Sequence, residues 1–533
     1  MRSRYATPGR FGRKPVAVGT RGMVVSSEPI AVEVGAAVLR EGGNAMDAAL
    51  AVAATQLVTE PHMTSLTGGI SLVHRNGATG RVSYLSGNVS APLAPLPDFT
   101  GADLHRARGV PVPGWWPAFC AAHERFGSVP MARLLDSAID VAREGFAVSP
   151  YLFGEMYHAR ENLGRNPQSR EMFFRDGSLI AVGEPLVQER VARTLERLRD
   201  EGMEYYRGEF ARAFCAASDS DGGVITQGDF DAYQPEWAEP VCGTYRDFEI
   251  VASAPPDDGG MQIVEALNIL ENLDLAALGP ASESSRTLSA LIAAHNAVYY
   301  APPRERRFRD SERIMQTLLS KEYARQRFAL LDTLASPIST APPSPGTIHI
   351  SVIDADHNVA TLTHSHMASP WVNGLYAEGF QLAGGGSFFQ RVMPQPGERA
   401  TVYLAPSMVL RDGEPVIVAG SPSVSLVACV LQNLVNLMDF GMTIEQSVTQ
   451  PRFGARPHDP ARGWVPGVTL ESGFGHGVLG DITRWAGRNR LWTREIGPWN
   501  SMTGNFDGIT IDPATGEMRS VGDPRRMGTA VAV

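Results

Sequence analysis

Hydrophobic and polar positions alternate along this chain with two periods, one helical and one extended. Ile30, Val34 and Val38 recur at helical spacing across residues 28–40, and Gly42-Gly43 closes the run. The next run, 44–58, carries alanine at 45, 48, 49, 51, 53 and 54, which predicts a core helix packed at close range. Thr67-Gly68-Gly69-Ile70 leads into a strand over 71–74, Asn76-Gly77 makes a turn, and a second strand follows over 81–85. Residues 115–335 read mostly as amphipathic helix, interrupted by a strand pair near 245–254. Pro255-Pro256-Asp257-Asp258-Gly259-Gly260 comes next, and the pattern predicts a helix over 261–273.

The pattern breaks at 336–346, where four prolines in eleven residues allow neither a helix nor a central strand. A strand over 347–353 follows directly. Its alternation sets Thr347, His349 and Ser351 on one face and Ile348, Ile350 and Val352 on the other. A turn at 354–358 and a strand over 359–365 complete a hairpin, and later segments predict a strand over 415–419 and a helix over 424–438. The chain is therefore of α/β class, without an internal repeat.

Composition narrows the chemistry. The chain has 533 residues, 43% hydrophobic and 20% charged, which excludes a disordered, collagen-like or coiled-coil protein. A net charge of −10 leaves no basic footprint for nucleic acid or an anionic membrane. Lys14 and Lys321 are the only lysines, and neither sits in a Gly-rich loop, so a phosphate-binding P-loop is excluded. The cysteines at 120, 215, 242 and 429 form no CxxC pair and predict separate reduced thiols. No apolar stretch approaches the roughly 20 residues of a membrane helix. Residues 1–20 lack the apolar centre of a signal peptide, so a cytoplasmic location is expected.

Thr347 is the candidate for chemistry. A threonine at a new chain start carries its own base, because a free α-amine titrates at about 7.7–8.0 and can take the hydroxyl proton. A flexible Pro-rich stretch running into a Thr-headed strand is where a chain can be cut to create such a start. His364 and His366 flank Ser365, and alternation points both to the face opposite Ser365. His-x-His can begin a metal site, but no third ligand is identifiable, so no metal is expected.

The surrounding segments resemble the γ-glutamyltranspeptidase family of N-terminal-nucleophile hydrolases. They are residues 22–27, 42–49, Thr59-Glu60-Pro61-His62 ahead of Gly68-Gly69, Pro255-Pro256 with Gly259-Gly260, Thr347-Ile348-His349, Gly420-Ser421-Pro422 and Asp523-Pro524-Arg525-Arg526. They cover nearly the whole chain in family order. The resemblance implies a four-layer αββα sandwich built by two chains from one precursor. These are a large subunit, 1–346, ending in the 336–346 processing loop, and a small subunit, 347–533. Thr347 would be the nucleophile, cleaving after Gly346 and then attacking substrate, with Ser365 as the second hydroxyl beside it.

The family's donor site carries over only in part. The arginine that clamps the donor carboxylate falls on Asn88, the asparagine after the second hydroxyl on Met367, and the aspartate for the donor amine in residues 384–388, which hold no acid. The paired serines fall near Val402-Tyr403, and the oxyanion-hole glycines on Ser423-Val424. Backbone N–H groups could still serve at Ser423 and Val424, but Asn cannot replace an arginine fork. Asn88, His349, Tyr403, Ser423 and Val424 are therefore expected around a small-molecule substrate. Tyr403, Phe388 and Phe389 would form an apolar wall for a substrate lacking the free amino acid head group. The expectation is a self-processing hydrolase or acyltransferase, without cofactor, acting on an amide through acyl-Thr347. Hydrolysis of a carbon–carbon bond next to a carbonyl, as in actinobacterial pyrroline-carboxylate antibiotic pathways, and a catalytically dead binding relative remain the alternatives.

Overall fold

Two seven-stranded antiparallel sheets face each other between helical layers. The computed structural model describes residues 10–299, 312–331, 346–385, 393–454, 458–459, 463–465 and 467–533. In spatial order the first sheet runs Thr529–Ala532, Met23–Ser26, Ile348–Ile353, Val359–Ser365, Gly69–Arg75, Val82–Gly87 and Glu236–Ala238. The second runs Val16–Gly19, Met518–Val521, Ile509–Ile511, Glu414–Ala419, Ser407–Arg411, Phe248–Ala252 and Val241–Tyr245. Residues on both sides of position 346 contribute strands to both sheets, so neither part has a core of its own. This is the αββα sandwich.

The hairpin of Ile348–Ile353 and Val359–Ser365 lies at the centre of the first sheet. Ile350 pairs with Leu362 on one side and Ser26 on the other. Its outer face packs Ile350, Val352, Ala360 and Leu362 against the helix Ala45–Thr59, and the helix Pro29–Arg40 lies beside that helix over Met23–Ser26. Ile350, Val352 and Leu362 each contribute about 1.5–3 kcal/mol on burial. The Ala45–Thr59 helix is buried along its whole length, as its alanine content predicts, and an Asn44–Asp47 capping box starts it. The other helical layer, Asp258–Leu270, Ser285–Tyr299 and Leu426–Met438, packs into the core that contains the second sheet.

One boundary differs from the sequence pattern. The helix expected from Met261 begins at Asp258, so Gly259 and Gly260 lie inside its first turn. A Cβ on Gly259 would stand 2.2 Å from the Tyr403 carbonyl oxygen. The glycine pair serves a close backbone approach there rather than a break. Of the 336–346 segment only Gly346 lies within the described residues.

Candidate active site

The hairpin register decides where Thr347 sits. Ile348 pairs with His364, and Ser365 with Gly69, so the residue before Ile348 comes beside Ser365 at the open end of the two strands. The Thr347 hydroxyl lies 2.7 Å from the Gly346 carbonyl oxygen and 3.3 Å from Ser365 Oγ. Ser365 Oγ donates to that same carbonyl and accepts the Met367 N–H at 2.8 Å. The Gly346 N–H bonds Ala368 O at 3.1 Å. A Cβ on Gly346 would stand 2.2 Å from His366 Cε1, so only glycine fits ahead of Thr347. Arg526 Nη1 donates to the Thr347 carbonyl at 3.3 Å.

A narrow cavity of about 40 Å³ opens at these two hydroxyls. Tyr299, Met367, Val402, Tyr403, Leu404, Ser423, Val424 and Leu426 line it with Thr347 and Ser365. None of these side chains is charged. The Tyr299 and Tyr403 rings lie 4.5 Å apart. Ser423 holds φ at +92°, the left-handed region that favours glycine.

Tyr403, Ser423 and Val424 thus lie with Thr347 and Ser365, but Asn88 and His349 do not. Asn88 is fully buried and donates to the Asp257 carboxylate. His349 lies deeper between the sheets. Its Nδ1 bonds Thr363 Oγ1 at 2.8 Å, and its Nε2 meets Ser351 Oγ at 3.0 Å and Thr361 Oγ1 at 3.2 Å. It shares a strand face with Thr347 as alternation requires, but at position 349 that face meets the second sheet, and only its Thr347 end reaches the cavity. Phe388 and Phe389 lie outside the described residues.

Of the two flanking histidines, one follows the alternation rule and one does not. Trp115 Nε1 donates to His364 Nδ1 at 3.1 Å, so that nitrogen is the acceptor and Nε2 carries the proton to Gln56 Oε1 at 2.9 Å. His364 faces the helices, as expected. His366 follows the strand end, where alternation no longer applies. Its ring lies against Gly346, and its Nε2 donates to the His62 carbonyl at 2.8 Å. Burial pushes the histidines down, His349 and His364 to about 3 and His366 to about 4. All three rings are neutral near pH 7.

Two buried acids, Glu60 near Arg526 and Glu28 near Glu60, shift upward instead. Burial lifts Glu60 to about 8 despite the nearby Arg526, and Glu28 to about 7. Unfolded, both titrate near 4.5. Their contribution is fully present below that value and is lost as pH rises through 7 and 8, because the folded state then holds protons the unfolded state has released. The buried histidines act below pH 6.5 and leave the higher window to the carboxyls. The melting temperature should therefore fall between about pH 7 and 8.5, and Glu60→Gln should fall less. Parallel melting curves for the two proteins across that window would contradict the assignment.

The arrangement is that of an N-terminal-nucleophile hydrolase. A family model described as Gamma-glutamyltranspeptidase matches residues 31–533, and the chain belongs to that family. It is 33% identical over 496 residues to the Acylase ACY 1 proenzyme of Pseudomonas sp. (strain SE83), covering 86% of this chain and 85% of that one. It is 28% identical over 556 residues to the glutathione hydrolase proenzyme of Escherichia coli (strain K12), covering 95% and 90%. The fold superposes on cephalosporin acylase from Bacillus halodurans with a TM-score of 0.82 at 23% identity, covering 98% and 97%.

Several participants escaped the sequence reading, Leu404 in the cavity wall among them. Tyr299 and Leu426 line the cavity from helix ends, and Arg526 reaches Thr347 from near the chain terminus. The signal for Arg526 was the charge density of Asp523-Pro524-Arg525-Arg526. Asp523 pairs with Arg452 at 2.7 Å and Arg525 with Glu471 at 2.6 Å, all buried, which fixes the turn that carries Arg526.

Proposed function

We propose that this chain is a precursor that cleaves itself between Gly346 and Thr347, and that the resulting N-terminal Thr347 hydrolyses an amide by acyl transfer. In the first step Thr347 Oγ attacks the Gly346 carbonyl carbon and the C–N bond breaks, with the proton passing to the nitrogen. Water then hydrolyses the ester, leaving a Gly346 carboxylate and a free Thr347 amine. Ser365 Oγ donates to the oxygen on which negative charge develops, and the N–H groups of Ser423 and Val424 are the further donors for an oxyanion. The substrate's acyl carbon takes the position vacated by Gly346. The freed α-amine takes the hydroxyl proton and returns it to the departing amine.

One observation carries this reading. Among the described residues, the hydroxyl of Thr347 is within hydrogen-bond reach of a carbonyl and a second hydroxyl, and of no side-chain base. The neighbouring imidazoles are neutral and engaged elsewhere, so the amine released by cleavage is the base at hand. With no charged side chain among its described lining residues, the cavity favours an acyl group without an amino acid head group, held against Met367, Val402 and the two tyrosines. Cleavage of a carbon–carbon bond would need an electron sink for the carbanion, and no cation lines the cavity among the described residues. An amide is the favoured substrate.

Covalent trapping tests the reading. Protein treated with p-nitrophenyl butyrate and quenched in acid should carry one butyryl group, on the peptide that begins at Thr347. Label on another residue, or none on a cleaved protein, would contradict the proposal.

A further inference from the structure

A carboxyl group that the chemistry above does not use is buried between the sheets. Asp257 is wholly enclosed. Its Oδ2 accepts from Tyr84 OH at 2.7 Å and from Ser71 Oγ, and its Oδ1 accepts from Asn88 Nδ2. Ser71 and Tyr84 belong to the strands Gly69–Arg75 and Val82–Gly87 of the first sheet, and Asn88 follows the second of them directly. Ser71, Tyr84 and Asn88 are all neutral donors, and burial lifts Asp257 to about 7 against their pull.

The backbone around Asp257 holds one side of the cavity. The Val402 N–H bonds Pro256 O at 3.2 Å, and the Asp258 N–H bonds Val402 O at 2.7 Å. Gly259 lies so close to the Tyr403 and Leu404 carbonyls that a Cβ would stand 2.2 Å and 2.6 Å from them. Val402, Tyr403 and Leu404 all line the cavity. They rest on a turn whose central side chain is fastened to the opposite sheet.

We propose that Asp257 is a positioning residue for the cavity wall: as the shared acceptor of Ser71, Tyr84 and Asn88 it fixes the 255–259 turn, and through that turn Val402–Leu404, and so sets the size of acyl group accepted beside Thr347. This rests on the proposed function insofar as the cavity receives the acyl group. It also gives Asn88 its role. The amide is spent on Asp257, its Oδ1 has no partner among the described residues, and position 88 is closed to substrate.

The chemistry of the network predicts which substitution is tolerated. Asparagine at 257 keeps an acceptor for Ser71 and Tyr84, and its NH₂ can meet the idle Asn88 Oδ1 after that amide flips. Alanine removes every bond. Tyr84→Phe removes one donor with little change of volume.

The experiment uses the cleaved protein and p-nitrophenyl esters from acetate to octanoate, with self-cleavage and melting temperature measured alongside. Asp257→Ala should raise KM for the octanoate about tenfold or more, with kcat and the acetate KM changed less than about twofold. Tyr84→Phe should shift the same ratio in the same direction by less, and serves alone where the alanine variant does not fold. Asp257→Asn should stay within about threefold of the parent. Equal effects on acetate and octanoate, or a fall in kcat, self-cleavage and melting temperature together, would reduce Asp257 to a structural group and overturn the proposal. A crystal structure of Asp257→Ala, or of Tyr84→Phe where the former does not fold, decides independently of turnover. Displacement of Val402–Leu404 supports the proposal and an unmoved wall overturns it. A parent protein that neither cleaves nor reacts with any ester would sink the proposed function alone.

Discussion

Replacing Thr347 by alanine should abolish self-cleavage and turnover together. The same hydroxyl attacks Gly346 in the precursor and the substrate in the cleaved protein, and Ser365 Oγ, its near neighbour, is already committed to the Gly346 carbonyl. Loss of the nucleophile should cost at least about 10⁴-fold in rate, since nothing else within reach can form the acyl intermediate. Thr347→Ser keeps the hydroxyl and should retain part of both activities. Gel electrophoresis follows the first step and ester hydrolysis the second, with melting temperature confirming that the alanine variant folds. A variant lacking the hydroxyl that still matures, or still turns over substrate at parental rate, would place the nucleophile elsewhere.

Glutathione should be a poor substrate for the cleaved protein. A γ-glutamyl donor brings a charged amine and a charged carboxylate into its site. The cavity at Thr347 shows no charged side chain among the described residues, and Asn88 faces Asp257 instead of the cavity. A charge-assisted hydrogen bond contributes about 1.5–3 kcal/mol. Two such losses, if additive, amount to roughly 3–6 kcal/mol, or about 10²–10⁴ in kcat/KM relative to an enzyme that clamps both groups. Steady-state glutamate release from glutathione measures this. Turnover at ordinary rates with a micromolar KM would show that other residues rebuild the clamp.

The central hairpin was legible because its residues alternate cleanly and 354–358 makes a tight turn, and that turn fixes the register that sets Thr347 beside Ser365. The Ala-rich helix was legible for a similar local reason. What failed was deciding what a polar strand face meets. His349, Ser351, Thr361 and Thr363 alternate as if toward water or substrate, yet they bond one another, with Ser351 also bonding the Asp507 carbonyl, in a polar seam between the sheets. Period-two patterning fixes a face, and only the stacking of the second sheet says what covers it. Asn88 failed likewise, since its partner Asp257 is far away in sequence. Tyr299 and Asp257 have no local signature at all, and the charge cluster at 523–526 marks Arg526 without saying what it reaches. Their roles follow from long-range contacts made by turns and helix ends, which one sequence does not encode by spacing.

The account rests on cleavage before Thr347, and the N-terminal sequence of the smaller fragment tests it most directly. Purified protein on a denaturing gel should separate into fragments of about 37 and 20 kDa, the 57.4 kDa chain divided in proportion to residues 1–346 and 347–533. Sequencing of the smaller should read Thr-Ile-His-Ile. A single full-length band from fresh and aged protein, or a fragment beginning at any other residue, would contradict it.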